Sequence, residues 1–354
     1  MKRLNCLIVI CLLSACKPSH SQDTPARPAN QAGPAKPAAA PGTAPGDPQL
    51  SGPYVHDNLT IFLIHKPGAK NDPTNYLILE EAVQAKTLHV TEKADGAQVN
   101  KIEIENVGDQ PVFLQAGDTV KGGKQDRVIA VDYVLPARSG KKQIDAFCVE
   151  PGRWSGRVEG GARYANVFGA ASAPVASKEQ KLAVKLSRDQ GKVWEEGRKT
   201  NEGLASKSAS TARARDSYVL TIEDPAIQKK VAEYTDALQR IPEGKDDVIG
   251  MAFAVNGDPS TVEIYSGPAL FRKLWTKLLK GASLEALSKK TSQPPTKQAG
   301  EADIRTLLTQ AADGKTSTRV VSEEVKLETI DGTRSAQFDT RVKDDVLHRQ
   351  VVTK

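Results

Sequence analysis

Apolar and polar positions divide the chain into stretches of different period. Residues 4–13 are an apolar stretch, and residues 17–50 show no apolar period at all. From residue 52 onward short β-type runs set in: residues 59–64 (LTIFLI), the alternating Ile102 and Ile104, then residues 112–114, 128–135 and 144–149. Turn residues stand between them, as at Asn71-Asp72-Pro73 and over residues 106–111. Five or more short runs so separated predict an antiparallel sheet or sandwich as the main layer. Residues 77–85, carrying Glu80 and Glu81, predict a short helix within this part.

The period then changes to helical. Leu182, Leu186 and Val193 lie on one face of a segment rich in Lys, Arg and Glu, which predicts an amphipathic helix with a solvated charged face and no nucleic-acid patch. Asp224-Pro225 is an N-cap followed by proline at the first helical position, and Ile227, Val231, Tyr234 and Leu238 follow at helical spacing. Strand pattern returns at 248–255 and 261–265 around Asn256-Gly257-Asp258-Pro259, a hairpin signal with a loop longer than two residues. After Ser266-Gly267-Pro268, the side chains of Leu270, Phe271, Leu274, Trp275, Leu278 and Leu279 make one wide apolar helical face. Residues 304–310 predict a further short helix, and 319–327, 335–342 and 346–352 predict strands. The expected fold is α+β, an antiparallel core with helices packed on it.

The first fifteen residues change the picture from fold to address. Met1-Lys2-Arg3, the short apolar stretch and Leu13-Ser14-Ala15-Cys16 resemble a bacterial lipobox, which implies cleavage before Cys16 and its lipidation. Lys17 after the cysteine points to the periplasmic face of the outer membrane in a Gram-negative cell, so the expected location is the cell envelope, with the membrane as a partner through Cys16. Of the four cysteines, Cys6 and Cys11 leave with residues 1–15 and Cys16 is lipidated. Cys148 is then alone and no intramolecular disulfide is available. Residues 16–50, with eight prolines among Ala, Gly and Ser, predict a disordered tether able to reach roughly 100 Å when extended. The folded part divides into 51–291 and a C-terminal helix and strands over 292–354, read as part of the same domain. A net charge of +6 permits an anionic partner without demanding one.

Candidate chemistry concentrates in residues 117–154, GDTVKGGKQDRVIAVDYVLPARSGKKQIDAFCVEPGRW. The five histidines form no HExxH, and neither a Cys-x-x-Cys pair, a nucleophile elbow nor a Walker A loop is present. No metal site and no cofactor are expected. Gly122 and Gly123 allow positive φ and could expose amides as an anion-binding nest, with Lys124 and Arg127 adding charge and Gln125 and Asp126 supplying hydrogen bonds. The same residues equally suit a plain hairpin turn. Cys148 alternates with Ile144 and Ala146, as a small buried hydrophobe does. Glu150 and Arg153 suit an acid or base and an anion clamp, or a structural ion pair beside Trp154.

Gly122 to Arg127 (GGKQDR) and, some twenty residues later, Cys148 to Trp154 (CVEPGRW) resemble the signature of the ADP-ribosylglycohydrolase- and rhodanese-phosphatase-superfamily-associated protein domain family. YLILEEA at 76–82, QGKVWE at 190–195 and the hairpin and helix over 249–279 extend the likeness in the right order. Pro151 stands where the family more often has a polar residue. The resemblance implies company with enzymes of ADP-ribose and phosphate chemistry and assigns the domain no activity, leaving open whether it is an enzyme. Two readings stay open: a module binding a small anionic, nucleotide- or ADP-ribose-like ligand between Gly122, Gly123, Lys124, Gln125, Asp126, Arg127, Arg153 and Trp154, or a hydrolase with Glu150 as acid or base and Cys148 or water attacking. Beside these two stands a plainer option, a scaffold for another envelope protein.

Overall fold

The structure, a computed structural model, describes residues 48–92, 100–153, 155, 157–159, 162–164, 167–170, 176–207 and 217–354. The lipobox with Cys16, the tether up to residue 47, Trp154 and residues 208–216 lie outside the described residues.

A hairpin of β1 (Gln49–His56) and β2 (Leu59–His65) comes first, and β3 (Leu77–Ile78) then runs into α1 (Leu79–Gln84). β4 (Leu88–Thr91), β5 (Lys101–Asn106), β6 (Val112–Leu114), β7 (Thr119–Gly122), β8 (Arg127–Ile129), β9 (Tyr133–Leu135) and β10 (Gly140–Cys148) follow. Next come the small hairpin β11 (Arg157–Glu159) and β12 (Ala162–Tyr164), and β13 (Val167–Ala170). The helical part holds α2 (Lys178–Leu182), α3 (Gln190–Ala205), α4 (Tyr218–Ile222) and α5 (Pro225–Leu238). Then β14 (Val248–Val255), β15 (Asp258–Tyr265), α6 (Pro268–Lys289) and α7 (Glu301–Thr309) lead to β16 (Lys315–Val320), β17 (Val325–Asp331), β18 (Ser335–Val342) and β19 (Asp345–Thr353).

Eight strands pair antiparallel in the order β1-β2-β14-β15-β19-β18-β17-β16, so residues 315–353 continue the large sheet. Six more, β10-β5-β4-β13-β7-β8, close into a barrel, and β3-β6-β9 forms a small mixed sheet. The fold is α+β, and closure of the barrel was not anticipated from the pattern. β2 reads as an unbroken apolar run because both its faces are covered. Leu59, Ile61 and Leu63 pack in the core that includes the apolar stripe of α6, whereas Phe62 and Ile64 pack with Ile304 and Leu307 of α7. The whole barrel lies in sequence between β2 and β14, although these strands are neighbours and His65 pairs with Val248. His65 Nδ1 sits 2.9 Å from Asp247 Oδ1 at that junction. The described residues form one compact unit.

Four local expectations are corrected. Residues 128–135 are two strands in two different sheets, separated at Asp132, whose carboxylate accepts the Ala116 amide at 2.7 Å. The expected helix through Leu182, Leu186 and Val193 breaks: α2 passes into a π-turn over Ala183–Ser187, Arg188 takes φ 50°, and Asp189 caps the start of α3. Asn256 and Gly257, with φ 53° and 82°, form a two-residue loop, since Val255 pairs with Asp258. Positive φ at both positions matches the strand twist of a tight hairpin. Residues 319–327 span two strands, β16 ending at Val320 and β17 starting at Val325.

Candidate functional site

The two signature loops meet at one mouth of the barrel. Residues 123–126 join β7 to β8, and β10 ends at Cys148 opposite Arg127. Gly122 pairs with Phe168 of β13, and β13 pairs with the end of β4, next to Glu92. Five strand ends thus converge there, a common position for ligand sites in barrel folds.

The glycine pair is required by close packing. Gly122 has φ 136°, and a Cβ on it would stand 2.4 Å from the Val167 carbonyl oxygen. Gly123 has φ 50°, and its Cβ would meet the Phe168 ring at 2.3 Å and Glu92 Oε1 at 2.6 Å. The amides expected to cradle an anion already donate within the protein. Gly122 N–H reaches Asp126 Oδ1 at 2.9 Å, Gly123 N–H the Val167 carbonyl at 3.1 Å, and Lys124 N–H Glu92 Oε1 at 3.0 Å. The open-nest expectation is corrected accordingly: Glu92 and Asp126 fill it.

Side chains tie the loops to each other. Gln125 Nε2 donates to the Glu150 carbonyl at 2.8 Å, and Val149 N–H donates to the Asp126 carbonyl at 3.0 Å. Arg153 donates from Nε to Glu150 Oε2 at 2.6 Å, from Nη2 to Asp126 Oδ1 at 3.1 Å, and from Nη1 and Nη2 to the carbonyls of Gly123 and Gly122 at 3.0 and 3.3 Å. Its side chain keeps 13% exposure, whereas Asp126 and Arg127 are fully buried. Arg127 donates to Gln125 Oε1 at 3.3 Å, contacts the Cys148 sulfur, and stands 3.5 Å from Glu92 Oε1. Lys124 is half-buried.

Cys148 is fully buried, and Gln190 of α3 brackets its backbone, accepting from its N–H at 2.9 Å and donating to its carbonyl at 2.8 Å. Burial pushes the thiol up to about 11, outweighing the pull of Arg127 beside it. The reactive thiolate is therefore scarce at neutral pH. In the folded protein Cys148 is expected to resist a thiol-specific disulfide reagent and to react fully in denaturant. Labelling of Cys148 itself in the native chain at the rate of free cysteine would contradict this.

The family model of the ARG and Rhodanese-Phosphatase-superfamily-associated Protein domain matches residues 47–352. The chain belongs to this family. No curated protein and no solved structure matches the chain. In this associated-protein domain the candidates Gly122, Gly123, Lys124, Gln125, Asp126, Arg127, Cys148, Glu150 and Arg153 all come together at the barrel mouth. Among the described residues no group of three or more His, Cys, Asp or Glu is placed to hold a metal ion. Glu92 and Gln190 complete the cluster and were missed. Glu92 carries no local signal, and Gln190 was noted only within a helix motif.

The associated-protein domain also contains a buried polar knot that sequence reading missed altogether. His348 of β19 is 1% exposed, with Nδ1 2.6 Å from Asp132 Oδ2 and Nε2 2.6 Å from Glu263 Oε2 of β15. Both ring nitrogens face carboxylates, which calls for two N–H donors and hence an imidazolium. Burial opposes that charge, yet Asp132 and then Glu263 push the pKa up to about 9. Lys181 reaches Glu263 at 3.0 Å, Lys185 and Gln350 bond at 2.8 Å, Thr340 donates to Asp132 at 2.6 Å, and the Tyr265 ring stacks on His348 at 4.6 Å. The available signal was a polar interruption of each apolar run, Glu263 alone in TVEIY and His348 with Arg349 and Gln350 in VLHRQVV.

Proposed function

We propose that the chain is an envelope-anchored, non-catalytic binding domain, lipidated at Cys16, that takes a small oxyanion at the barrel mouth. What supports the reading is Arg153. It is a partly exposed cation at the rim, and it holds one carboxylate from each signature loop. An incoming phosphate or similar group takes the place of Glu150 on its guanidinium, a planar donor suited to bidentate oxyanions. The amides behind it stay engaged and keep the rim rigid. Hydrolysis through Cys148 is disfavoured by its burial and raised pKa.

Calorimetry with phosphate, pyrophosphate and ADP-ribose tests the binding. Glu150→Gln removes the competing charge and is expected to tighten oxyanion binding about tenfold, equivalent to about 1.4 kcal/mol. No binding by the wild type and by Glu150→Gln, or turnover of ester or glycosidic substrates abolished by Glu150→Gln, would overturn the reading. Anchoring has its own test: radiolabelled palmitate is expected to enter the full chain and to be lost in Cys16→Ser. An unlabelled wild-type chain in a lipoprotein-processing host would contradict it.

A further inference from the structure

Away from the barrel mouth, three lysines from three helical segments face one cavity. Lys207 just beyond α3, Lys230 in α5 and Lys290 just beyond α6 line a space of about 310 Å³, together with Ser206 and Thr291. Tyr234 and Leu287 also line it. Lys207 Nζ donates to the Gly203 carbonyl at 2.7 Å and to Ser206 Oγ at 3.2 Å, both neutral acceptors. Among the described residues Lys230 makes no ion pair, and Lys290 is paired with Asp57. Glu233 is the one carboxylate lining the cavity among the described residues. Burial, and after it the positive charges of Lys230 and Lys290, holds Lys207 below the ordinary lysine value.

Like charges converging on a concave surface destabilise one another, and a bound anion relieves that repulsion. The volume falls at the lower end of small-ligand cavities and exceeds what a single phosphate fills. From these features we infer that this cavity is a second oxyanion site, taking the phosphate group of a phosphorylated small molecule. Lys207 and Lys230 act as point charges on the phosphate, and the Ser206 hydroxyl, which accepts from Lys207, donates a hydrogen bond. Tyr234 and Leu287 give the remainder of the ligand an apolar wall. The inference does not depend on what happens at Arg153.

Lys207 and Lys290 also follow helix C-termini, where lysines cap carbonyl groups. Capping alone predicts no response to anions, and the experiment separates the two roles. Lys207 is titrated through its side-chain carbon resonances in the full chain, with pyrophosphate or with chloride at matched ionic strength. The expected result is an upward shift of the Lys207 titration with pyrophosphate, and an affinity about tenfold weaker in Lys230→Gln. A Lys207 titration that pyrophosphate leaves unmoved, or an affinity unchanged in Lys230→Gln, overturns the proposal. Glu150→Gln is expected to alter binding at the barrel mouth and to leave the Lys207 response intact. Failure of either site is therefore read separately.

Discussion

Replacing His348 by alanine is expected to lower the unfolding free energy by about 3 to 5 kcal/mol, because it strands two buried carboxylates that the imidazolium now joins. Asp132 and Glu263 come from different parts of the fold, one just ahead of β9 and the other in β15, so the loss reaches both the large sheet and the small mixed sheet. The wild type carries a pH signature of the same knot. A folded-state pKa raised from 6.5 to about 9 means that protonation favours folding. The contribution is complete below pH 6.5 and fades as pH rises through about 9. It amounts to roughly 3 kcal/mol.

The carboxylates act in the opposite direction. Burial alone would raise Glu263, but Lys181 and then His348 hold it down to about 2. Its contribution is present above about 4.5 and is lost as pH falls through about 2. His348 charge likewise holds Asp132 below the usual carboxylate range against burial. Stability should therefore peak between these windows. Urea unfolding at pH 6 and pH 9.5 is expected to show the alkaline loss in the wild type and little of it in His348→Ala. Equal wild-type stability at the two pH values would refute the imidazolium.

Gly122→Ala is the second large effect expected, about 2 to 5 kcal/mol, combining an unfavourable φ with overpacking. The added Cβ would meet the Val167 carbonyl at 2.4 Å and the Phe168 Cα at 3.1 Å, both main-chain atoms of β13. Neither can rotate away as a side-chain tip would. Gly140→Ala separates the two causes. Gly140 also has positive φ, 60°, yet nothing lies within 4 Å of its Cβ position. Its loss is expected near the conformational cost alone, about 1 to 2 kcal/mol. Thermal unfolding of the two variants compares them directly, and equal losses would deny that the glycine pair is there for packing.

The α+β class was legible because long elements keep their period. The stripe from Leu270 to Leu279 and the run from Leu59 to Ile64 each bury what their patterns require. Barrel closure was not legible, since β4, β7 and β13 have four residues each and barely show an alternation. The break at Asp132 hid inside IAVDYVL because a single charge in a strand reads as an exposed position, whereas this one turns inward to His348. At the barrel mouth the turn residues marked the hairpin that joins β7 to β8. Its inward saturation depends on Glu92 and Val167, which only the fold brings near. The His348 knot joins residues 85 and 216 positions apart, and no local pattern reports such a pairing.

The placement of the barrel between two neighbouring strands governs the order in which the protein can fold. His65 and Asp247, in contact at the junction, are 182 positions apart in sequence. Closing so long a loop in an open chain has an entropic penalty of about 4 to 5 kcal/mol before the strands on either side gain anything. Condensation of the intervening barrel and helices shortens that loop and makes the pairing of β2 with β14 a late event. Formation of the large sheet is then the expected slow step, in keeping with the slow folding of topologies dominated by distant contacts.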